Sequence, residues 1–403
     1  MPSPRLAVLA GALALAGCAA TPTATTAGHV AAEARIFWQP PRYAGQEQGS
    51  GVSLVAEPEL DVKSEDEVQE LVARPYYRLD PYDSRRSHFD VRKASYRIEA
   101  DGWEAGLGAG QFTWGALESH RPVDIVNQVD LVDSLDGSAK LGQPFVEVGY
   151  AGEVASLRLY YLPLFRERTF PGVDGRLRFA APIDGENAAF EPDLGRWTPS
   201  GAARLALRGG DFDVGLSVFS GLSREPRFVV ELTRARVVPL YDLLQQGSVD
   251  AQWTHDALAL KAEGFVRLWT RDFRPFAGGG AGAEYSFFDI VDGWDVTVVA
   301  EMLLDGRRSR RRRPSSSTTP SAACAWASTT PPAPRSSAAP SWTSSPEPRW
   351  RTSRPAAASA TTGGPAWPPT SSSARQGSQR DSRVLSWRTT TPRRTSLTSS
   401  SFG

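Results

Sequence analysis

Between residues 50 and 305 apolar and polar positions alternate with a period of two. In DFDVGLSVF, Phe212, Val214, Leu216 and Val218 share one parity, opposite Asp211, Asp213 and Ser217. In ASLRLYYL, Ala155, Leu157, Leu159 and Tyr161 oppose Ser156 and Arg158. Leu258, Leu260, Ala262 and Val266 likewise oppose Lys261, Glu263 and Arg267, and Val296, Val298, Ala300 and Met302 oppose Asp295, Thr297 and Glu301. Such alternation predicts strands with two chemically different faces. Tight turns such as Arg208-Gly209-Gly210-Asp211 separate some strands, and long polar stretches such as residues 170–201 separate others. One helix is expected: Ser64-Glu65-Asp66-Glu67 has the form of a capping box, followed by Val68, Leu71 and Val72 on one face.

A soluble sandwich would turn the apolar face inward, whereas a membrane barrel turns it to lipid and lines its interior with polar groups. Many runs reach the nine to eleven or so residues that a tilted membrane strand needs. Charges of both signs recur on the polar parity. Aromatic residues gather at strand ends (Trp103, Trp114, Tyr150, Tyr160, Tyr161, Trp269, Phe287, Phe288), where interfacial girdles would lie. The pattern therefore predicts an all-β fold, an antiparallel transmembrane β-barrel of roughly 12–16 strands when intact.

The two ends of the 403-residue chain differ from this body. Residues 1–18 read as a signal peptide: Arg5, a short apolar run, then Leu15-Ala16-Gly17-Cys18, a lipobox-like end that makes Cys18 a lipidation candidate. Residues 19–49, rich in Ala, Thr and Pro at their start, are expected to be a linker, and residues 50–305 the barrel. From residue 306 to 403 the composition changes abruptly. Beyond Gly306 there are sixteen Arg, no Lys, two acids (Glu347 and Asp381) and five Trp. The zero formal net charge thus hides a basic tail and an acidic body, and nothing in that body has the basic stripe of a nucleic-acid binder. The tail reads as a disordered segment in a GC-rich frame displaced by one base. Restoring the frame turns Ser into apolar and Thr into Asp, Asn, His or Tyr codons, and alternating strands reappear. Loss of those strands is expected to leave two sheet edges that lipid cannot satisfy.

Chemistry-bearing residues concentrate in GQFTWGALESHRPVDIVNQVDL, residues 110–131. Together with the preceding ASYRIEADGWEAGLGA and the following KLGQPFVEVGYAGEVASLRLYYLPLF, it resembles an uncharacterised family of Gram-negative outer-membrane, porin-like barrels. Gln111, Trp114-Gly115, Asn127 and Asp130 match that family's Gln, Trp-Gly corner and Asn-x-x-Asp loop. Gly110 stands where the family usually has Arg. The resemblance implies fold and outer-membrane location and no established activity.

The segment's plainest reading is a strand end, an interfacial Trp114 with a bend at Gly115, and a polar loop. Asp124, Asn127 and Asp130 would bond loop backbone. A second reading folds the loop into the lumen, with Gln111, Trp114, Glu118, Asp124, Asn127 and Asp130 as lumenal candidates. A third makes Glu118 and His120 an acid–base pair of an exported carbohydrate-active enzyme. No nucleophile elbow, phosphate loop or metal helix accompanies them, and the four His and two Cys have no zinc spacing, so no catalytic residue, metal or cofactor is expected. The function read from the sequence is passive or selective passage of small solutes. A surface or periplasmic lipoprotein with a soluble β domain is the alternative. The expected partners are outer-membrane lipid, the barrel-assembly machinery and small solutes, without nucleic acid.

Overall fold

A computed structural model describes residues 22–231, 236–271, 273, 275–291 and 294–306, and the backbone of Ser321–Thr330 and Arg383–Arg388. The candidate Cys18, its signal segment and most of the tail lie outside the described residues. In chain order the strands are β1 (Thr23–Arg35), β2 (Gly51–Lys63), β3 (Gln69–Leu79), β4 (His88–Ala100), β5 (Trp103–Gly110) and β6 (Gln143–Ala151). Next come β7 (Ala155–Leu162), β8 (Ala189–Phe190), β9 (Ser200–Gly209), β10 (Phe212–Leu222), β11 (Arg227–Glu231) and β12 (Arg236–Tyr241). The last are β13 (Leu243–His255), β14 (Leu258–Trp269), β15 (Pro275–Val291), β16 (Trp294–Asp305), β17 (Ser321–Thr330) and β18 (Arg383–Arg388).

Fifteen of them form one antiparallel meander in the order β17-β16-β15-β14-β13-β10-β9-β7-β6-β5-β4-β3-β2-β1-β18. β11, β12 and β8 make a small separate sheet in the connections. Because neighbours run antiparallel, connections alternate between the two ends. All the tight turns (64–68, 101–102, 152–154, 210–211, 256–257) fall at one end, and the long connections (36–50, 111–142, 163–199, 223–242) at the other.

The faces are inverted relative to a soluble protein. Leu157, Leu159, Tyr161, Leu216, Val218, Leu260, Val266, Val298 and Met302 are exposed, while Lys261, Glu263, Arg267 and Glu301 are buried. An apolar exterior around a charged interior is stable only with lipid outside and polar partners inside. The sheet also curls. Loop 111–142 leaves β5, reaches β16 and returns to β6, and β6 lies seven strand steps from β16 along the sheet, about 34 Å at roughly 4.8 Å per step. Only a closed-up, barrel-like curvature lets one loop bond residues of β3 and of β16 at once. The chain is therefore a transmembrane antiparallel β-barrel.

Three expectations need correction. Residues 64–68 form a hairpin turn and no helix. Ser64 bonds Gln69 through backbone N–H to O (3.0 Å), and its Oγ accepts from Gln69 N (2.9 Å). Glu67 takes a positive φ of 57°. A Ser side chain that could cap a helix closes the hairpin here because Lys63 and Glu70 are already paired across it. Residues 23–35, placed in a linker by composition, are β1, paired with β2 along its whole length. Its small residues suit it to a lumen wall, so the barrel begins before residue 50. Trp114 is buried and not interfacial, and Tyr160 points inward, whereas Trp103, Tyr150, Tyr161, Phe287 and Phe288 are exposed as a girdle requires. Beyond residue 306, the two described stretches, Ser321–Thr330 and Arg383–Arg388, pair with β16 and β1.

Candidate functional site

Loop 111–142 fills the barrel toward its long-connection end. Its apolar residues Trp114, Val123, Ile125 and Val126 form a buried cluster with Phe145 of β6, Tyr160 and Leu162 of β7, Ala202 of β9, Phe219 of β10 and Leu244 of β13. These wall residues occupy the parity that elsewhere is polar. That is the signal a sequence reading could have used: apolar residues on the inward parity, confined to strand ends, mark where something apolar enters the lumen.

The base of the loop is closed by Asn127. Its Oδ1 accepts from Phe112 N (2.7 Å), and its Nδ2 donates to Gly110 O (2.8 Å) and Leu141 O (2.9 Å). Gln111, exposed, donates to the Lys140 carbonyl. Lys140 in turn donates to Phe112 O (2.7 Å) and pairs with Asp124. Burial raises the Asp124 carboxyl above the usual aspartate range, and Lys140 opposes the rise. Asp130, fully buried, accepts from Thr169 Oγ1 (2.7 Å) and lies 3.2 Å from His88 Nε2. Asn127 thus bonds loop backbone, Asp124 pairs with Lys140 inside the loop, and Asp130 ties the loop to Thr169 and His88.

The tip crosses to the far wall. Glu263 Oε1 on β14 accepts from Ala116 N and Leu117 N (2.6 Å each). Glu301 on β16 accepts from Glu118 N (2.6 Å), Ser119 N (2.9 Å) and the Ser119 hydroxyl. Lys261 donates to Glu118 Oε1 (2.9 Å) and Glu284 Oε2 (2.8 Å). Leu117, fully buried, needs the bare backbone of β15: a Cβ on Gly280 would lie 2.7 Å from Leu117 Cδ1. Charge-assisted bonds to backbone N–H groups are roughly twice as strong as neutral ones, so these two carboxylates dominate the docking.

Other cations clamp the middle and far end. Arg224 is buried and donates from Nε (2.9 Å) and Nη2 (2.7 Å) to the Val126 carbonyl, and burial pulls its proton affinity down to about 9. Arg267 bonds Gln246 (2.6 Å), and Gln246 bonds the Val123 carbonyl (2.9 Å). Asp133 pairs with Arg78 (2.5 Å) and Arg92 (2.6 Å) and accepts from the Tyr76 hydroxyl (2.7 Å). Burial alone would raise its carboxyl, and the two guanidinium groups reverse that and hold it at about 2.

Nearer the tight-turn end the wall neutralises itself. Arg97 of β4 reaches Glu147 of β6 (2.9 Å) across Gly106 of β5, and Glu104 of β5 reaches Arg158 of β7 (2.9 Å) across Gly149 of β6. A Cβ at either glycine would lie 2.9 Å from the bridging side chain, so the ion pairs need the glycine between them. At the opposite end the long connections interlock: Glu47 N donates to Asp174 O (2.9 Å), Ser84 N to Asp174 Oδ2 (2.9 Å), and Arg178 to Ala44 O (2.8 Å).

The candidate acid–base pair is not assembled as one. Glu118 is engaged by Lys261 and by Arg121 (3.3 Å), and His120 is exposed on the loop. Among the described residues no group of three or more His, Cys, Asp or Glu side chains could hold a metal ion.

An apolar exterior, a charged interior and an inward-folded loop define a porin-like outer-membrane β-barrel. Solved structures similar to this chain include Wzi of Escherichia coli, an outer membrane protein involved in group 1 capsule assembly and a carbohydrate-binding β-barrel. That match has 10% identity, covers 75% of this chain and 62% of Wzi, and has a TM-score of 0.40, so the chain spans less than two thirds of Wzi's length. A loop-deletion mutant of the outer membrane protein OmpT of Vibrio cholerae matches at 8% identity over 71% of this chain and 82% of its own, TM-score 0.41. OprB of Pseudomonas putida matches at 8% over 71% and 76%, TM-score 0.38. No family model and no curated protein sequence matches the chain.

Proposed function

We propose that the protein is an outer-membrane channel for small solutes, narrowed by loop 111–142, and that it is not an enzyme. The observation that supports this most is the docking of the loop tip on Glu263 and Glu301 of the far wall. A strand connection that merely covered the rim would not need two buried carboxylates of distant strands. The bonds are all to one short segment, residues 116–119, so release of that segment widens the lumen without dismantling the sheet. Glu118, the acid of the catalytic alternative, is engaged in this docking by Lys261 of the wall. In this reading the signal segment exports the chain, the assembly machinery inserts it and Cys18 carries lipid.

The test is swelling of liposomes containing the full chain in iso-osmotic solutions of neutral sugars and polyols. The expected result is slow, size-dependent swelling. A folded barrel, shown by heat-modifiable gel mobility, with no permeability to any of them would refute the channel. Lipid labelling in cells provides the second arm: membrane association that disappears in Cys18→Ala would favour the tethered soluble domain instead.

A further inference from the structure

At the tight-turn end of the lumen, below the loop, lies a cavity of about 340 Å³ lined by Thr23, Thr25, Glu59, Asp61, Lys63 and Arg74, among others. It exists because the register sets small residues of β1 opposite charged residues of β2: Thr23 against Lys63, Thr25 against Asp61, Ala27 against Glu59. The small side chains leave open the space into which the charged ones project.

The ion pairs here differ from those holding the loop. Arg74 Nε stands 3.4 Å from Glu59 and Lys63 Nζ 3.5 Å from Glu70, against 2.5–2.6 Å for the pairs of Asp133. Neither Arg74 Nε nor Asp61 Oδ1 has a hydrogen-bond partner, although both atoms are buried. A buried carboxylate oxygen and a buried guanidinium N–H without partners are costly in a finished core, and they suit a surface that exchanges bonds with a visitor. Opposite charges are thus presented side by side, with one oxygen of Asp61 and one N–H of Arg74 left without a hydrogen bond.

We propose that this cavity is a recognition site for small zwitterions of dipeptide length, a proposal that rests on the reading of the lumen as a solute path. Along β2 successive inward residues are about 6.7 Å apart, so the acid Asp61 and the cation Lys63 are separated by that distance at their backbones. An extended dipeptide places its ammonium and carboxylate roughly 6–7 Å apart. Its ammonium faces Asp61 and its carboxylate faces Lys63, with Glu59 and Arg74, themselves 3.4 Å apart, completing the wall beside them. The volume falls in the range of small-molecule sites, about 300–1,000 Å³. A monovalent ion would meet both signs at once and gain little, and a neutral solute would leave both signs unanswered.

The full chain, refolded in detergent, is examined by saturation-transfer NMR with glycylglycine and with its uncharged counterpart N-acetylglycinamide. Glycylglycine is expected to bind at least roughly fivefold more tightly, the worth of one exposed ion-pair contact. Asp61→Asn and Lys63→Gln are each expected to erase the preference, and Glu59→Gln and Arg74→Gln to reduce it. The removal of Glu301, which holds the loop elsewhere, leaves the preference unchanged. Equal binding of the two probes, or a preference that survives all four substitutions, overturns the site. Glycylglycine binding in a barrel that passes no solute leaves the site standing and removes the channel. Permeation with no discrimination does the reverse.

Discussion

Replacing Glu301 with alanine should release the tip of the lumenal loop while the barrel stays folded. The carboxylate accepts three hydrogen bonds, from Glu118 N, Ser119 N and the Ser119 hydroxyl, and bonds no wall residue among those described. Glu118 and Ser119 are exposed, so water can take over their donors when the carboxylate is gone. The loss is therefore the net value of a hydrogen bond, about 0.5–1.5 kcal/mol each, and not the larger cost of orphaned buried groups. Three such bonds come to about 1.5–4.5 kcal/mol, or roughly 10- to 2,000-fold in the ratio of docked to undocked loop. Glu263 keeps its two bonds, so the docked state persists as one side of a faster equilibrium. Hydrogen exchange followed by mass spectrometry reads this directly, because amide protection reports the local opening equilibrium. The amides of residues 116–119 should lose protection by that factor, while the ladder amides of β14 and β15 should not change. Protection at residues 116–119 within threefold of the parent, in a barrel that retains its heat-modifiable mobility, would refute the assignment of Glu301 as a latch.

Two further outcomes follow from the same geometry. Gly280→Val places a Cβ against Leu117 Cδ1 and Leu303 Cδ2, each 2.7 Å away, and should cost about 1–3 kcal/mol by overpacking; because β15 is laddered on both sides, the loop gives way, and liposome swelling rates should rise. Asp133 should make the far end of the loop acid-labile. Its folded value of about 2 lies below the ordinary 3.8, so its contribution is complete above about pH 4 and is lost as pH falls from about 4 to about 2. That amounts to roughly 2 kcal/mol, which Asp133→Asn should remove together with the acid step in exchange protection near residue 133.

Much of this was legible in the chain. Period-two alternation assigned Leu157, Leu216, Leu260 and Met302 to lipid and Lys261, Glu263, Arg267 and Glu301 to the interior, because side-chain parity along a strand is fixed by local geometry. Turn residues marked the tight ends for the same local reason. The candidate segment was also found, with Gln111, Trp114, Glu118, Asp124, Asn127 and Asp130 all in one loop. Its Trp114 was misplaced because an aromatic residue after a strand reads the same at an interface and inside a plug. Ser64 was misread because one hydroxyl closes either a helix turn or a hairpin.

Local chain chemistry set the strands, their faces and the identity of the loop that carries the polar cluster. The tertiary structure alone decided where that loop goes. Glu263 and Glu301 lie more than 140 residues beyond the amides they accept from. Nothing local distinguishes them from other inward acids such as Asp250, which pairs with Arg204 on the wall. Their role appears only once seven strand steps of a twisted sheet have curled β16 round to face the loop, because curvature is a property of the whole ladder and of no single strand.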